Sequence, residues 1–213
     1  MRNRSFLLVG FALIGAAIIV RLISTGDAPS SWDVAILRHV AGWRTSLLSM
    51  MFANITALGS LTLITLHTII AIGILSSIGN RRAALQVGLA SGVAWISTQV
   101  VKAILETPRP TLVAALTEAT GFSFPSGHAF TASAMYVTIA FVACRYFSGT
   151  RQRRLLAGFT ALIITGVAIS RVYLGVHYPS DILSGVLLGA GWAVILESRF
   201  TDASSSYAVR HSR

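Results

Sequence analysis

Charged side chains and cysteine are scarce in this chain of 213 residues, which has seven acidic residues and one cysteine. Charged residues make up 11% of the chain, whereas a soluble domain carries roughly 25%. This deficit argues against a water-soluble domain and indicates a membrane protein. The single cysteine, Cys144, excludes an internal disulfide and any zinc site built from cysteine pairs. Because it lies within an apolar run, we predict that it is a small buried residue.

Six apolar runs occupy most of the chain. Most of them approach the ~20 residues that a helix needs to cross ~30 Å of hydrocarbon. Backbone polar groups find no water in that layer, so the runs are predicted to be helical. The first run resembles a signal peptide, but its length and the five runs behind it favour an uncleaved span. The runs are 5–23, 53–78, 83–105, 129–147, 155–174 and 178–196.

These runs predict an all-α fold: a polytopic membrane protein with six transmembrane helices in one bundle. The bundle forms a single domain over residues 1–200, and residues 201–213 form a polar C-terminal tail. Residues 31–43 place Trp32, Ile36, Val40 and Trp43 at helical spacing. This pattern fits a short amphipathic helix at the membrane interface, and it also fits a loop with two tryptophan anchors. Two glycine pairs with small-xxx-small spacing predict close helix packing within the bundle: Gly88 with Gly92, and Gly185 with Gly189.

The basic residues give the chain a formal charge of +10 and are distributed unevenly. Such a balance raises nucleic-acid binding as a possibility, but the cations form short clusters between apolar runs, which is typical of topology signals in membrane proteins. We therefore expect no nucleic-acid partner. One set of alternate connections holds eleven basic residues and the other holds six. The positive-inside rule places the richer set, and with it both termini, in the cytoplasm.

Three polar clusters interrupt the apolar pattern. They are residues 102–110, 124–130 and 170–181, with the sequences KAILETPRP, FPSGHAF and SRVYLGVHYPSD. The first lies at the end of the third run, the second at the start of the fourth, and the last joins the fifth and sixth. The end of an odd-numbered span and the start of an even-numbered span share one face of the membrane. All three clusters therefore meet on one face, which the charge distribution predicts to be extracytoplasmic.

The clusters contain three cations at one level, Lys102, Arg109 and Arg171. Since these charges repel one another, a shared anion explains them best, and phosphate suits the arginine fork. Ser126 is a good helix cap, and Gly127 lets a ligand approach the backbone, so free amides at that helix start would face the anion. Taken alone, both residues are also explained as a plain helix cap.

Two histidines flank the predicted anion site. His177 and Asp181 are four residues apart, and Pro179 between them favours a helix that begins there. A carboxylate that accepts a hydrogen bond from one ring nitrogen leaves the other free to attack phosphorus. His128 would protonate the leaving oxygen and then accept a proton from water. Asp181 is alternatively a helix-start acid favoured by the helix dipole.

Three other titratable residues are not assigned to catalysis. Glu118 is either a solvated loop acid or a residue that lines the entrance. His39 is predicted to lie at the interface, and His67 to form a hydrogen bond within the bundle. Neither histidine has titratable neighbours within a motif.

Three patterns together resemble the signature of the type 2 phosphatidic acid phosphatase family. They are K-x6-R-P at Lys102, Arg109 and Pro110, P-S-G-H from Pro125 to His128, and S-R-x5-H-x3-D at Ser170, Arg171, His177 and Asp181. The resemblance implies that His177 is a nucleophile that forms a phosphohistidine, that Asp181 orients it, and that His128 is the general acid and then the base. It implies a phosphate site made by Lys102, Arg109, Ser126, Gly127 and Arg171.

The resemblance also implies that neither a metal nor another cofactor is required, and the sequence offers no compact set of carboxylates for magnesium. We expect a lipid phosphate or diphosphate phosphatase in the bacterial cytoplasmic membrane. Its substrate would be of the undecaprenyl pyrophosphate, phosphatidylglycerophosphate or phosphatidic acid type, or a lipid A phosphate. The alternatives are a vanadium haloperoxidase-like oxidation, which the many membrane spans disfavour, and a non-catalytic lipid-phosphate binding or transport protein. We expect the preference for a monophosphate or a diphosphate to depend on loops 25–45 and 107–124, and no pattern in the sequence beyond the two glycine pairs points to an oligomer.

Overall fold

The structure, a computed structural model, describes residues 2–24 and 29–210, and the side chains of residues 3–24 and 29–201 within them. In these ranges the chain forms helices joined by turns and loops, without a strand. The helices are α1 (Arg2–Ile23), α2 (Ser31–Ala41), α3 (Ser46–Ala57), α4 (Leu61–Ser77), α5 (Arg81–Leu105), α6 (Gly127–Cys144), α7 (Thr150–Tyr173) and α8 (Pro179–Arg210).

The prediction of an all-helical membrane protein is confirmed. Within the described residues, α1, α5, α6, α7 and α8 are each long and apolar enough to cross a membrane. Helices α3 and α4 pass the same test only as a pair, which bends by 44° at its break. The described part of the chain therefore contains five candidate spans, or six if the bent pair forms one span.

The break between α3 and α4 falls inside the predicted run 53–78, which was expected to be one continuous helix. Ser60 caps the new helix, because its hydroxyl accepts the N–H of Leu63 at 3.3 Å. Where the helix is interrupted, the Leu58 carbonyl accepts a hydrogen bond from the Tyr136 hydroxyl at 2.9 Å. At Gly59, an added Cβ would lie 3.2 Å from the Cβ of His128. The break thus places the backbone of Gly59, which has no side chain, against the start of α6.

Helix α6 lies at the centre of the bundle and packs against α4, α5, α7 and α8. Two glycines allow α8 to approach it closely. An added Cβ at Gly185 would lie 2.9 Å from the carbonyl oxygen of Ser126, and one at Gly189 would collide with the carbonyl of Phe130. The predicted packing role of this pair is confirmed. At the other pair, a Cβ added at Gly88 would contact only Ile72, and a Cβ added at Gly92 would meet nothing within 4 Å. Those two glycines therefore make no comparable contact.

Residues 31–41 form helix α2 rather than a loop. The side that this helix buries differs from the predicted apolar side, which consisted of Trp32, Ile36, Val40 and Trp43. Asp33, Leu37 and Val40 are buried, whereas Ile36 and Trp43 are 42% and 52% exposed. The two buried aliphatic residues join an apolar cluster with residues of the turn 174–178, which carries part of the third polar cluster. Helix α2 therefore packs against that turn and supports it. Residues 25–28 of the predicted loop 25–45 lie outside the described residues.

Helix α8 begins at Pro179, as predicted, and extends to Arg210. The polar segment predicted as a tail from residue 201 thus continues the helix, and residues 211–213 lie outside the described residues. Large apolar side chains on α1, α4, α5 and α7 are exposed, as expected for surfaces that face lipid; examples are Leu8, Ile69, Ile104 and Leu162.

Candidate active site

The three polar clusters meet at one end of the bundle, around a cavity of about 530 Å³. Helices α5 and α7 contribute the residues of their last turns, and α6 and α8 those of their first turns. Loop 106–126, which joins α5 to α6, closes the site. Six of the eight predicted site residues line the cavity: Lys102, Arg109, Gly127, His128, Arg171 and His177. The other two, Ser126 and Asp181, are 0% and 1% exposed and do not line it.

His177 lies in the turn before α8 and is 2% exposed. Its Nδ1 atom is 3.5 Å from Oδ2 of Asp181, in the first turn of α8. The same carboxylate oxygen accepts the N–H of Tyr178 at 2.9 Å, so the position of Asp181 is fixed by the turn itself. The spacing of four residues was therefore a correct signal of proximity between ring and carboxylate.

Ser123 lies between these two side chains, and the sequence reasoning did not single it out. Its hydroxyl donates to Oδ2 of Asp181 at 2.5 Å and lies 3.2 Å from Nδ1 of His177. The serine is completely buried. Its position three residues before Ser126 was the only available signal, because the residue belongs to none of the three patterns.

Arg109 contacts the opposite side of the imidazole ring. Its Nη1 atom is 3.3 Å from Nε2 of His177 and donates to the carbonyl of Val176 at 2.8 Å. Because a guanidinium donates hydrogen bonds and accepts none, Nε2 must be the unprotonated nitrogen. The proton of a neutral ring then lies on Nδ1, which faces Ser123 and Asp181.

Burial lowers the pKa of His177 to about 4. The hydrogen bond and the negative charge of Asp181 oppose this effect, while Arg109 and Arg171 add to it. The ring is therefore neutral near pH 7, with a lone pair on the nitrogen that faces the cavity. This is the protonation state that a nucleophile needs.

The remaining cations approach the cavity from α5 and α7. Lys102 donates to the carbonyl of Phe122 at 2.5 Å, and Arg171 donates to the Thr56 hydroxyl at 2.9 Å. The Nε atom of Arg171 is buried without a hydrogen-bond partner. Lys102, Arg109 and Arg171, together with the unpaired Nε donor of Arg171, form a site that favours an anion with several oxygens.

The start of α6 adds donors on the same side. Ser126 occupies the cap position, as predicted, but its hydroxyl makes no capping hydrogen bond and has no partner. Its backbone N–H donates to the carbonyl of Asp181 at 3.2 Å, which ties α6 to α8. Gly127 has Thr98 close by, since an added Cβ would lie 3.3 Å from Cγ2 of that residue. A larger residue would therefore crowd the helix start.

The other singled-out residues lie at the edge of the site or away from it. Glu118 is exposed and lines the cavity, whereas His39 packs edge-on against Trp43. His67 lies 3.3 Å from the Tyr136 hydroxyl, which confirms its predicted hydrogen bond within the bundle. Among the described residues, no group of three histidine, cysteine or acidic side chains is arranged to hold a metal ion.

Comparison with known proteins identifies the family. The sequence model of the PAP2 superfamily matches residues 83–203, which cover most of α5, all of α6 and α7, most of α8 and all eight predicted site residues. The chain belongs to the PAP2 superfamily. Phosphatidylglycerophosphatase B of Bacillus subtilis is 30% identical over 181 residues, which cover 84% of this chain and 85% of that protein. As a PAP2 protein with phosphatase relatives, the chain is a membrane phosphatase.

Two further similarities concern the fold and a related activity. The crystal structure of a transmembrane PAP2-type phosphatidylglycerolphosphate phosphatase from Bacillus subtilis matches with a TM-score of 0.81 and 27% identity, over 92% of this chain and 96% of that one. A decaprenylphosphoryl-5-phosphoribose phosphatase from Mycolicibacterium smegmatis is 30% identical over 118 residues, 54% of this PAP2 chain and 59% of that protein.

Proposed function

We propose that this PAP2 phosphatase hydrolyses a lipid phosphate through a phosphohistidine at His177. The observation that carries the proposal is the state of that ring: it is buried and neutral, and its unprotonated Nε2 lies beside Arg109 in a cavity that also holds Lys102 and Arg171. Binding of an anion requires the cations but not a histidine in this state. The same observation disfavours a non-catalytic binding protein.

In the first step, Nε2 of His177 attacks phosphorus and the bond from phosphorus to the lipid oxygen breaks. His128, on the wall of the same cavity, donates a proton to the departing oxygen, so that the lipid leaves as an alcohol. In the second step, water attacks the phosphohistidine while His128 accepts its proton. Phosphate leaves, and the ring of His177 returns to its neutral form.

The cations stabilise the charge that spreads over the phosphoryl oxygens during both steps. Lys102, Arg109 and Arg171 contribute fixed positive charge, and the amides at the start of α6 from Gly127 onward contribute hydrogen bonds. The predicted contribution of Ser126 is not part of this scheme, because its side chain is buried away from the cavity and its N–H is bonded to Asp181. Such preorganised groups usually supply the largest part of the rate enhancement in phosphoryl transfer. No metal is needed in this scheme, so activity is expected to persist in excess EDTA.

The lipid chain would enter from the side of the bundle. Trp95 and Gln99 precede Lys102 on α5, line the cavity and are exposed, and Leu61 of α4 lines it as well. The cavity thus extends from the cations toward the apolar surface between α4 and α5. We propose a glycerophospholipid phosphate monoester as substrate, which is the class named for the relative that matches most of the chain.

The proposed topology has six spans, with both termini in the cytoplasm and the site on the outer face of the bacterial cytoplasmic membrane. The support is the excess of basic residues in the connections opposite the site. Labelling with a membrane-impermeant maleimide tests it in a Cys144→Ser background. Glu118→Cys should react in intact cells and Arg81→Cys only after lysis; the reverse result would contradict the topology.

Phosphate release from a panel of lipid phosphates by purified protein tests the function. We expect His177→Ala to abolish release and His128→Ala to reduce it by about 100-fold or more, while His39→Ala, outside the cavity, keeps the wild-type rate. Quenching with detergent at alkaline pH after addition of radiolabelled substrate should trap a phosphoenzyme in the wild type, which acid then hydrolyses, and none in His177→Ala. Full activity of His177→Ala would refute the mechanism. Phosphate binding by the wild type without turnover of any lipid would favour the non-catalytic alternative.

A further inference from the structure

The hydroxyl of Ser123 occupies the space between the proposed nucleophile and its carboxylate. Nδ1 of His177 is 3.2 Å from this hydroxyl but 3.5 Å from Oδ2 of Asp181. The hydroxyl is 2.5 Å from that same Oδ2 atom. The serine is therefore nearer to each partner than the partners are to each other.

Only one assignment of protons satisfies all of these groups. An ionised carboxylate only accepts hydrogen bonds, so the short contact to Asp181 must use the single proton of the Ser123 hydroxyl. The lone pairs of the hydroxyl remain available for the N–H at Nδ1 of His177. On the far side of the ring, Arg109 donates toward Nε2, which places the ring proton on Nδ1. The two sides of the ring thus require the same tautomer.

We infer that Ser123 is a positioning residue that relays the hydrogen bond of Asp181 to His177 and, together with Arg109 on the other side of the ring, fixes the tautomer that leaves Nε2 free to attack. The inference rests on the proposed role of His177. Asp181 then acts on the ring through the serine hydroxyl, with the carboxylate held in place by the N–H of Tyr178.

The backbone of Ser123 has a separate task. Its N–H donates to the carbonyl of Thr107 at 2.7 Å, which closes loop 106–126 near its start. A substitution of the side chain leaves this bond in place. Ser123→Ala therefore removes the hydroxyl between ring and carboxylate without releasing the loop.

Ser133→Ala is a matched control. Ser133 is also fully buried, and its hydroxyl bonds a backbone carbonyl, that of Val186, at 2.9 Å. It lies on α6 more than one turn beyond His128 and does not line the cavity. The control reports the cost of removing a buried serine hydroxyl away from the ring.

The kinetic test compares Ser123→Ala with the control and with Ser123→Thr, which keeps a hydroxyl. We expect kcat to fall by about tenfold in Ser123→Ala, as for the loss of one hydrogen bond, with KM and inhibition by inorganic phosphate unchanged. Ser123→Thr should recover part of the rate. Since serine and carboxylate act in series, Ser123→Ala combined with Asp181→Asn should be no slower than Asp181→Asn alone. A kcat equal to that of Ser133→Ala, or fully additive losses, would overturn the inference.

A spectroscopic test keeps the inference separate from the proposed function. Nitrogen-15 and proton spectra of the histidine rings should show Nδ1 of His177 protonated and Nε2 unprotonated in the wild type. In Ser123→Ala, Arg109 still faces Nε2, so the tautomer should persist, while the Nδ1–H proton signal should move upfield because its hydrogen bond is lost. A mixture of both tautomers is expected only when Arg109→Gln is added. The signal is assigned by its absence from His177→Asn. An unchanged Nδ1–H signal in Ser123→Ala would refute the relay. If His177→Ala remained active, the proposed function would fail, whereas the Nδ1–H signal would still decide what Ser123 does.

Discussion

Asp33 of α2 caps the first turn of α8 from a distance of 147 positions along the chain, because its Oδ1 accepts the backbone N–H of Ser180 at 2.8 Å. Its Oδ2 accepts the Ser180 hydroxyl at 2.8 Å and the Ser30 hydroxyl at 2.6 Å. The carboxylate is 2% exposed. Through Ser180, the neighbour of Asp181, the short helix α2 holds the end of α8 that carries the candidate catalytic carboxylate.

Asp33→Ala is expected to lower both stability and turnover. Loss of a helix cap costs about 1 kcal/mol, and the buried Ser180 donors would lose their partner as well. The thermal midpoint in detergent should therefore fall, and kcat should fall more than KM rises, because the first turn of α8 aligns Asp181. Arg38→Ala serves as the control, since Arg38 is on the same helix but exposed. Unchanged kcat with a lowered midpoint would restrict Asp33 to a structural role.

Thr56→Val tests how Arg171 is held in place. The Thr56 hydroxyl is the acceptor for Nη1 of Arg171 at 2.9 Å, and valine replaces it with a methyl group of similar size. A less restrained guanidinium should bind phosphoryl oxygens more weakly, so we expect KM and the inhibition constant of inorganic phosphate to rise several-fold, by the value of one hydrogen bond. Thr68→Val, deeper in the bundle, provides a comparison. Equal effects of the two variants would show that the loss is not specific to Arg171.

The protonation of His177 gives a prediction with a definite sign. Its pKa is about 4 in the folded protein and 6.5 as the reference value, so the unfolded chain binds more protons between these two values. Stability should therefore fall as the pH drops from about 6.5 to about 4. His177→Asn should flatten this part of the profile, which unfolding at a series of pH values will measure. An unchanged slope would show that the ring is not buried in its neutral form.

Two charged neighbours shift the pKa of His177 in opposite directions. Asp181 raises and Arg109 lowers the pKa of His177. Asp181→Asn should therefore lower this pKa further, and Arg109→Gln should raise it toward 6.5. Titration of the assigned ring signal by NMR checks both shifts; shifts of the opposite sign would contradict the described surroundings of the ring.

Gly189→Ala tests the contact between α6 and α8. The added Cβ would collide with the carbonyl of Phe130 and lie 2.7 Å from Cβ of Ser133. Forcing the helices apart should cost about 1–3 kcal/mol, as in other overpacked interiors. Gly92→Ala, which meets nothing within 4 Å, should be neutral or stabilising, since alanine favours a helix. The midpoints of thermal unfolding in one detergent compare the pair, and equal midpoints would refute the packing argument.

The helical membrane architecture could be predicted from the sequence, because the hydrocarbon layer demands long apolar runs whose backbone hydrogen bonds are internal. The meeting of Lys102, Arg109, His128, Arg171 and His177 could be predicted as well, because alternate span ends share one face. The start of α8 at Pro179 followed from a local rule about proline. These features depend on composition, on spacing and on the direction of each span, all of which can be read along the chain.

Features that depend on contacts between distant segments could not be predicted from the sequence. The break before Leu61 follows from the fit of Gly59 against α6 and α7, while a hydropathy pattern shows only a continuous run. Ser126 occupies a cap position without capping. Asp33 caps a helix far along the chain, and Ser123 stands between His177 and Asp181. Hydrogen bonds of this kind depend on which side chains the folded bundle brings within about 3 Å of one another, and sequence spacing does not encode such distances.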